Sequence, residues 1–220
     1  MGRHVFLSVL GVSILAVVLG VFLSSLDVER ASHQVFPWQI EKLADGSTRV
    51  FQITLGQSHL ADAEQIFSES AKITMFVPEQ GEPVVEAYFN ELQIAGLKAK
   101  LVVSVALTKD ELQAIYDNGE RISTMGSGTR KVTLHDSDSQ KVRHSVISAM
   151  TYMPSINLDA EQITKRFGMP DEKINDTESD AEHWLYADRG LDILLSEKAK
   201  EVIQYVHPSD FYKLIEPLKK

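Results

Sequence analysis

The chain contains no cysteine. That excludes disulfides, a thiol nucleophile, thiolate zinc sites and a lipid-modified cysteine behind a leader. It is compatible with an oxidising compartment without establishing one. Paired histidines are missing as well. None of the seven has another at i+3 or i+4, so no helix presents two imidazoles on one face. There is no G-x-S-x-G elbow and no Walker-type loop. No block of like charge occurs, although 31 acids outnumber 22 lysines and arginines. A nucleic-acid partner is therefore not expected, because neutralising phosphates needs a basic face. No residue is nominated as catalytic, cofactor-binding or metal-ligating, and no cofactor is expected.

What is present begins with VFLSVLGVSILAVVLGVFLSSL, Val5 to Leu26, which holds no charge and has serine as its only polar residue. As a helix it spans about 33 Å, against a hydrocarbon core of about 30 Å. It exceeds the apolar region of a secretory signal, and Ser24-Ser25-Leu26-Asp27 is a poor cleavage site. Residues 1–26 are read as a transmembrane signal-anchor, with a cleaved signal as the alternative. Arg3 precedes the run, while Asp27, Glu29 and a single Arg30 follow it. The positive-inside rule then puts the amino terminus in the cytoplasm and the bulk outside. In a bacterium this means a single-pass inner-membrane protein with most of its chain in the periplasm.

Residues 27–35 read as a linker. Residues 36–150 are expected to form a first α+β unit with an N-terminal hairpin and a connecting segment. Asp45-Gly46-Ser47 marks the hairpin turn, and Trp38 is expected to pack there. A helix follows over HLADAEQIFSES, then strands over KITMFVP, PVVEAYF and KAKLVVSVAL. Thr108 to Glu111 is a capping box opening a second helix. DSDSQKVRHSVI reads as a further helix and SAMTYMP as extended. Residues 151–220 are expected to form a second unit. Its helix is capped by Asn157 or Asp159, carries Ile163 and Phe167 and ends at Gly168. Three antiparallel strands and a short helix from Pro208 follow. Alternation sends Glu182, Trp184 and Tyr186 to one side, with His183 and Leu185 on the other. His183 is therefore expected to be dispensable for folding.

The letters DAEQI occur at Asp62–Ile66 and again at Asp159–Ile163. Each copy is followed by a phenylalanine, an acidic-aromatic strand and a Gly-Leu step into an apolar strand. The fold class expected is α+β, with a transmembrane helix followed by two helix-plus-antiparallel-sheet units in tandem.

The segment INLDAEQITKRFGMPDEKI, with EHWLYADRGLDILLSEKAKEVIQYV after it, resembles the SmpA/OmlA small-lipoprotein pattern. It is similar more broadly to β-lactamase-inhibitor-protein-like repeats. The resemblance implies structural roles for Phe167-Gly168-Met169-Pro170, Trp184 and Tyr186, and a part in assembling envelope complexes. Trp38 to Gly56 together with the second unit resembles an uncharacterised family of membrane-anchored proteobacterial proteins. The lipidation cysteine of the small lipoproteins is absent here.

Two functions are open. One is a membrane-tethered, extracytoplasmic protein-binding or scaffold module in envelope assembly or maintenance, joined to the membrane through residues 5–26 and to an envelope protein. The other is an envelope enzyme or lipid-handling protein with a pocket between the two units. Met125-Gly-Ser-Gly-Thr-Arg130-Lys131 is the one stretch suited to an anion, through backbone amides and two cations. A solvated turn is the plainer reading of it.

Overall fold

The computed structural model describes residues 35–94, 96–176, 180–196 and 198–218. The expected anchor and all of the linker but Val35 lie outside the described residues. Among the described residues no helix is long and apolar enough to cross a membrane.

The chain runs β1 (Glu41–Lys42), β2 (Thr48–Val50), β3 (Ile53–Thr54), α1 (Leu60–Phe67), β4 (Lys72–Val77), β5 (Val84–Ile94) and β6 (Leu97–Val105). It continues with α2 (Lys109–Asp117), β7 (Arg121–Thr124), β8 (Arg130–Thr133), α3 (Asp136–Arg143) and β9 (Ile147–Pro154). It ends with α4 (Ala160–Phe167), β10 (Glu172–Asp176), β11 (Ala181–Tyr186), β12 (Leu191–Leu195), β13 (Val202–Val206) and α5 (Tyr212–Ile215). Strands β1 to β3 form a small sheet. The other ten form one antiparallel sheet in the order β10-β11-β12-β13-β9-β6-β5-β4-β8-β7.

This corrects the expected pair of α+β units. The protein is mainly β, with one sheet through its described length. The boundary expected between residues 150 and 151 falls inside β9, which pairs with β6 on one side and β13 on the other. The repeated pentamer does not mark equivalent positions. Asp62 is the third residue of α1, whose N-cap is His59, whereas Asp159 is itself the N-cap of α4. Both carboxylates satisfy amides at a helix start, Asp62 accepting from His59 N at 2.7 Å and Asp159 from Gln162 N at 2.7 Å. Capping chemistry favours the same few letters at helix starts, and that is enough to produce the match.

Period-two alternation divides the sheet into two faces. Ala87, Phe89, Leu101, Val103, Met150, Tyr152, Ile203 and Tyr205 point to the side where α1, α2, α3 and α4 bury Leu60, Ile115, Val142 and Phe167 in one cluster. Two bulges preserve this side. In β5 the register shifts between Phe89 and Leu92, and both remain buried. The bulged amide of Asn90 donates to Glu69 Oε1 at 2.9 Å. In β9 an extra residue, Ser148, sits opposite the step from Ser104 to Val105.

The hairpin joining β2 to β3 has two central residues, Phe51 and Gln52, at φ 54 and 65. Turns of this shape favour Asn and Gly, so two ordinary side chains here carry backbone strain. The offset is packing. Phe51 is buried and meets Phe67, Tyr152 and Tyr205 at ring-centroid distances of 6.3, 5.4 and 5.9 Å. Upstream, Tyr205 Oη donates to Pro37 O at 2.8 Å. Trp38 stacks on Phe36 at 4.7 Å, meets Phe167 edge-on at 6.3 Å and lies under Arg166 at 4.0 Å. It packs on the domain, as the sequence suggested, although ahead of β1 and not in the hairpin turn.

Phe51→Ala is expected to lower unfolding free energy by about 3–5 kcal/mol in a urea titration. Gln52→Gly, at the exposed neighbouring position, should stay within about 1 kcal/mol of the parent. Equal losses at the two positions would remove the distinction between packing and turn strain.

Candidate functional site

Three features bear on function. The first is a pocket of about 290 Å³ between α2 and the flank formed by β4 and β8. Met75, Val77 and Leu112 supply apolar lining, and Glu82, Lys109, Tyr116 and Arg130 supply polar groups. Helix α2 is positioned by the expected box: Glu111 N donates to Thr108 Oγ1 at 3.3 Å, and Thr108 N donates to Glu111 Oε2 at 2.7 Å. The polar groups are engaged with one another. Lys109 Nζ lies 2.8 Å from Glu82 Oε1, and that contact holds the Glu82 carboxyl below its ordinary range. Arg130 donates to Tyr116 Oη at 2.5 Å and sits over its ring. The pocket is on one flank of the sheet, not between two units.

Arg130 comes from the glycine-rich stretch, and the structure changes the meaning of that motif. The stretch is the β7–β8 turn. Met125 N donates to Thr129 O at 2.9 Å and Gly128 N to Met125 O at 3.0 Å. Those amides therefore do not cradle an anion. Lys131 pairs across strands with Phe76, whereas Arg130 pairs with Val77, so the two cations stand on opposite faces of the sheet.

The second feature is a buried acid–base pair. His183 Nδ1 lies 2.8 Å from Asp192 Oδ2, with the two residues 6 % and 1 % exposed. They sit on neighbouring strands β11 and β12, on the face opposite the main core. The hydrogen bond to Asp192 raises the His183 imidazole above its ordinary value, against the lowering effect of burial. Burial raises Asp192, and the bond to His183 opposes that rise. The direction for His183 is the firmer of the two, because a short bond to a carboxylate favours the protonated ring. The sequence expectation that His183 is dispensable for folding is thereby corrected. Removing it leaves a carboxylate buried without its partner. Asp192 lies one strand across and one pleat along from His183, so the pair was findable from the hairpin register once Asp188 to Gly190 is taken as the turn. Among the described residues no group of three or more His, Asp or Glu is arranged to hold a metal.

The third feature is the second face of the sheet. At the β11–β13 end it is covered. Leu185, Val206 and Phe211 are buried there, with Leu214 and Ile215 of the C-terminal segment packed against them. Over β4, β5, β6 and part of β9 no described segment forms such a cluster. The register places Tyr88, Val102, Thr151 and Gln204 in one row, all half-buried. Phe76 and Val84 are paired beside them. Glu86 lies on the same face, and partial burial raises its carboxyl above the usual range. The arrangement suits contact with another surface, with partly apolar side chains presented in register by neighbouring strands.

No family model matches the chain, and no curated protein or solved structure matches it either.

The His183 shift has a sign that can be measured. Its folded value lies above its unfolded value of about 6.5. The pair's contribution to stability is thus complete below that pH and is lost as pH rises through the folded value. NMR titration of the ring should show the raised value in the parent. In Asp192→Asn burial should pull it down instead. His183→Ala should cost about 3–5 kcal/mol at about pH 6, where the pair is complete, as for other half-broken buried pairs. An unchanged His183 titration in Asp192→Asn would contradict the pairing.

Proposed function

We propose that this chain is a membrane-tethered, extracytoplasmic protein-binding or scaffold module whose working surface is the open face of the sheet over β4, β5, β6 and β9. One observation carries the reading. Helices α1 to α4 and the small sheet gather on one side, α5 covers only the β11–β13 end of the other, and the rest of that side has half-buried Tyr88, Val102, Phe76 and Val84 without a described cover. A monomer with no use for such a face gains by burying it or making it wholly polar. The tether is supported by the length and apolarity of residues 5–26 and by the charges that flank them. A part in envelope assembly or maintenance is supported by the resemblance of the C-terminal segment alone.

Two measurements test this. A reporter that works only outside the cytoplasm, fused after Lys220, should be active, and activity of a cytoplasm-only reporter there would reject the orientation. For the surface, a photocrosslinking residue at Tyr88 or Val102 should join the protein to one discrete partner in intact cells. The same residue at Met169, which is 71 % exposed on a loop, should not. Equal labelling from all three positions, or none from the sheet, would reject the open face as the working surface.

A further inference from the structure

The charges on the open face are not distributed like those of the chain. Five cations stand on it, on β7, β8, β4 and β6, with β5 lying between β4 and β6. Lys72 is the cross-strand partner of Tyr88, and Lys131 of Phe76. Lys100 is the partner of Met153, and Lys98 of Gln93. Arg121 is the partner of Thr133, itself opposite Thr74. Side chains of directly paired residues share a face, and Met75, Val132, Leu101 and Ala99 on the alternate positions are buried on the other side. Against these five cations the same strands carry Glu86 and, in the bulge, Glu91. The chain as a whole has a net charge of −9.

The second observation is independent of the first. Among the described residues none of Lys72, Lys98, Lys100, Arg121 and Lys131 has a carboxylate within ion-pair distance. The lysines and arginines that do have such a partner all lie elsewhere in the described chain. Five strands span roughly 19 Å at the usual strand spacing. That is about two Debye lengths in physiological salt, so a ligand on this face senses these cations and is largely screened from the acids beyond.

We propose that this half of the open face binds an acidic polypeptide segment of a partner protein. The proposal rests on the open face being the working surface and adds the chemistry of what it holds. Tyr88, Val102 and Phe76 offer apolar contact between the cations, so the matching segment carries Asp or Glu around one or more apolar side chains. A compact acidic segment fits better than an anionic lipid surface. The apolar groups between the lysines are half-buried in the sheet and do not project for insertion into a bilayer.

The test uses the full-length chain in an uncharged detergent, with fluorescein-labelled poly-L-glutamate as the probe read by anisotropy. One variant carries Lys72, Lys98, Lys100, Arg121 and Lys131 all replaced by Gln. A control makes the same charge change elsewhere through K42Q, K165Q, K198Q, K200Q and K213Q, and circular dichroism checks that both fold. The parent should bind, and binding should weaken as salt is raised. The open-face variant should lose about tenfold or more in affinity. The control should stay within about twofold. Failure of the parent to bind, or equal loss in both variants, overturns the proposal. So does tighter binding to vesicles of phosphatidylcholine with phosphatidylglycerol that the open-face variant abolishes, which would assign the face to a lipid surface. If the glutamate probe fails while Val102 still crosslinks to a discrete partner in cells, the acidic chemistry falls and the open-face function stands.

Discussion

Strand β9 is the constraint on which the architecture depends. Its residues Ala149 to Tyr152 pair on one side with Leu101 to Ser104 and on the other with Ile203 to Val206. Without it β6 and β13 would each present an unpaired edge, and the early and late strands would form separate sheets. With it, Met150 and Tyr152 point into a core that also receives Leu60 from α1 and Phe167 from α4. The bulge at Ser148 lets the strand keep its inward set on that side after Ile147, and Ser148 Oγ donates to Ser104 O at 3.2 Å beside the bulge. Both pairings bring together residues far apart in the chain. Their closure entropy must be met before the sheet gains from them.

The same centre fixes how the chain enters the domain. Tyr152 and Tyr205, on β9 and β13, both meet Phe51, and Tyr205 also holds the Pro37 carbonyl. The strained turn at Phe51 and Gln52 is thus tied to the middle of the large sheet, and so is the segment just after residue 34. The open face of β4 to β6 lies on the opposite side of the sheet from this aromatic cluster. Gly190 shows how closely the strands beyond approach. A side chain there would put a carbon 2.0 Å from the Val206 carbonyl oxygen, so only glycine fits between β12 and the end of β13.

Local structure was legible in the sequence to the extent that it follows from local chemistry. The Thr108–Glu111 box, the Asp159 cap, the Asp45-Gly46-Ser47 turn and the alternation in β5, β6 and β11 all appear where residue type demands them. The β2–β3 turn was missed because its sequence, Phe-Gln, contradicts the usual residues for that geometry and is explained only by distant aromatic packing. Strand β10 was missed because EKIND is mostly polar, as suits an edge strand exposed to solvent. The joining of two apparent units into one sheet was not legible. Alternation says which way side chains point, but it does not say which edge a strand joins.

The open face was hidden for a related reason. Its five cations come from positions 72, 98, 100, 121 and 131, so no basic run exists in the sequence. Only the register gathers them. Their lack of ion pairs costs the isolated protein little, because exposed salt bridges contribute about 0–1 kcal/mol and solvated lysines are stable alone. Stability therefore gives no reason to place acids beside them, and equally no reason to exclude acids from one face of a chain rich in Asp and Glu. Solubility gives none either, since the net negative charge already supplies it. A surface that must meet an acidic partner does give a reason. Any carboxylate paired with these lysines in the free protein would have to be displaced before binding, and the gain from the new contact would fall by what the old one contributed.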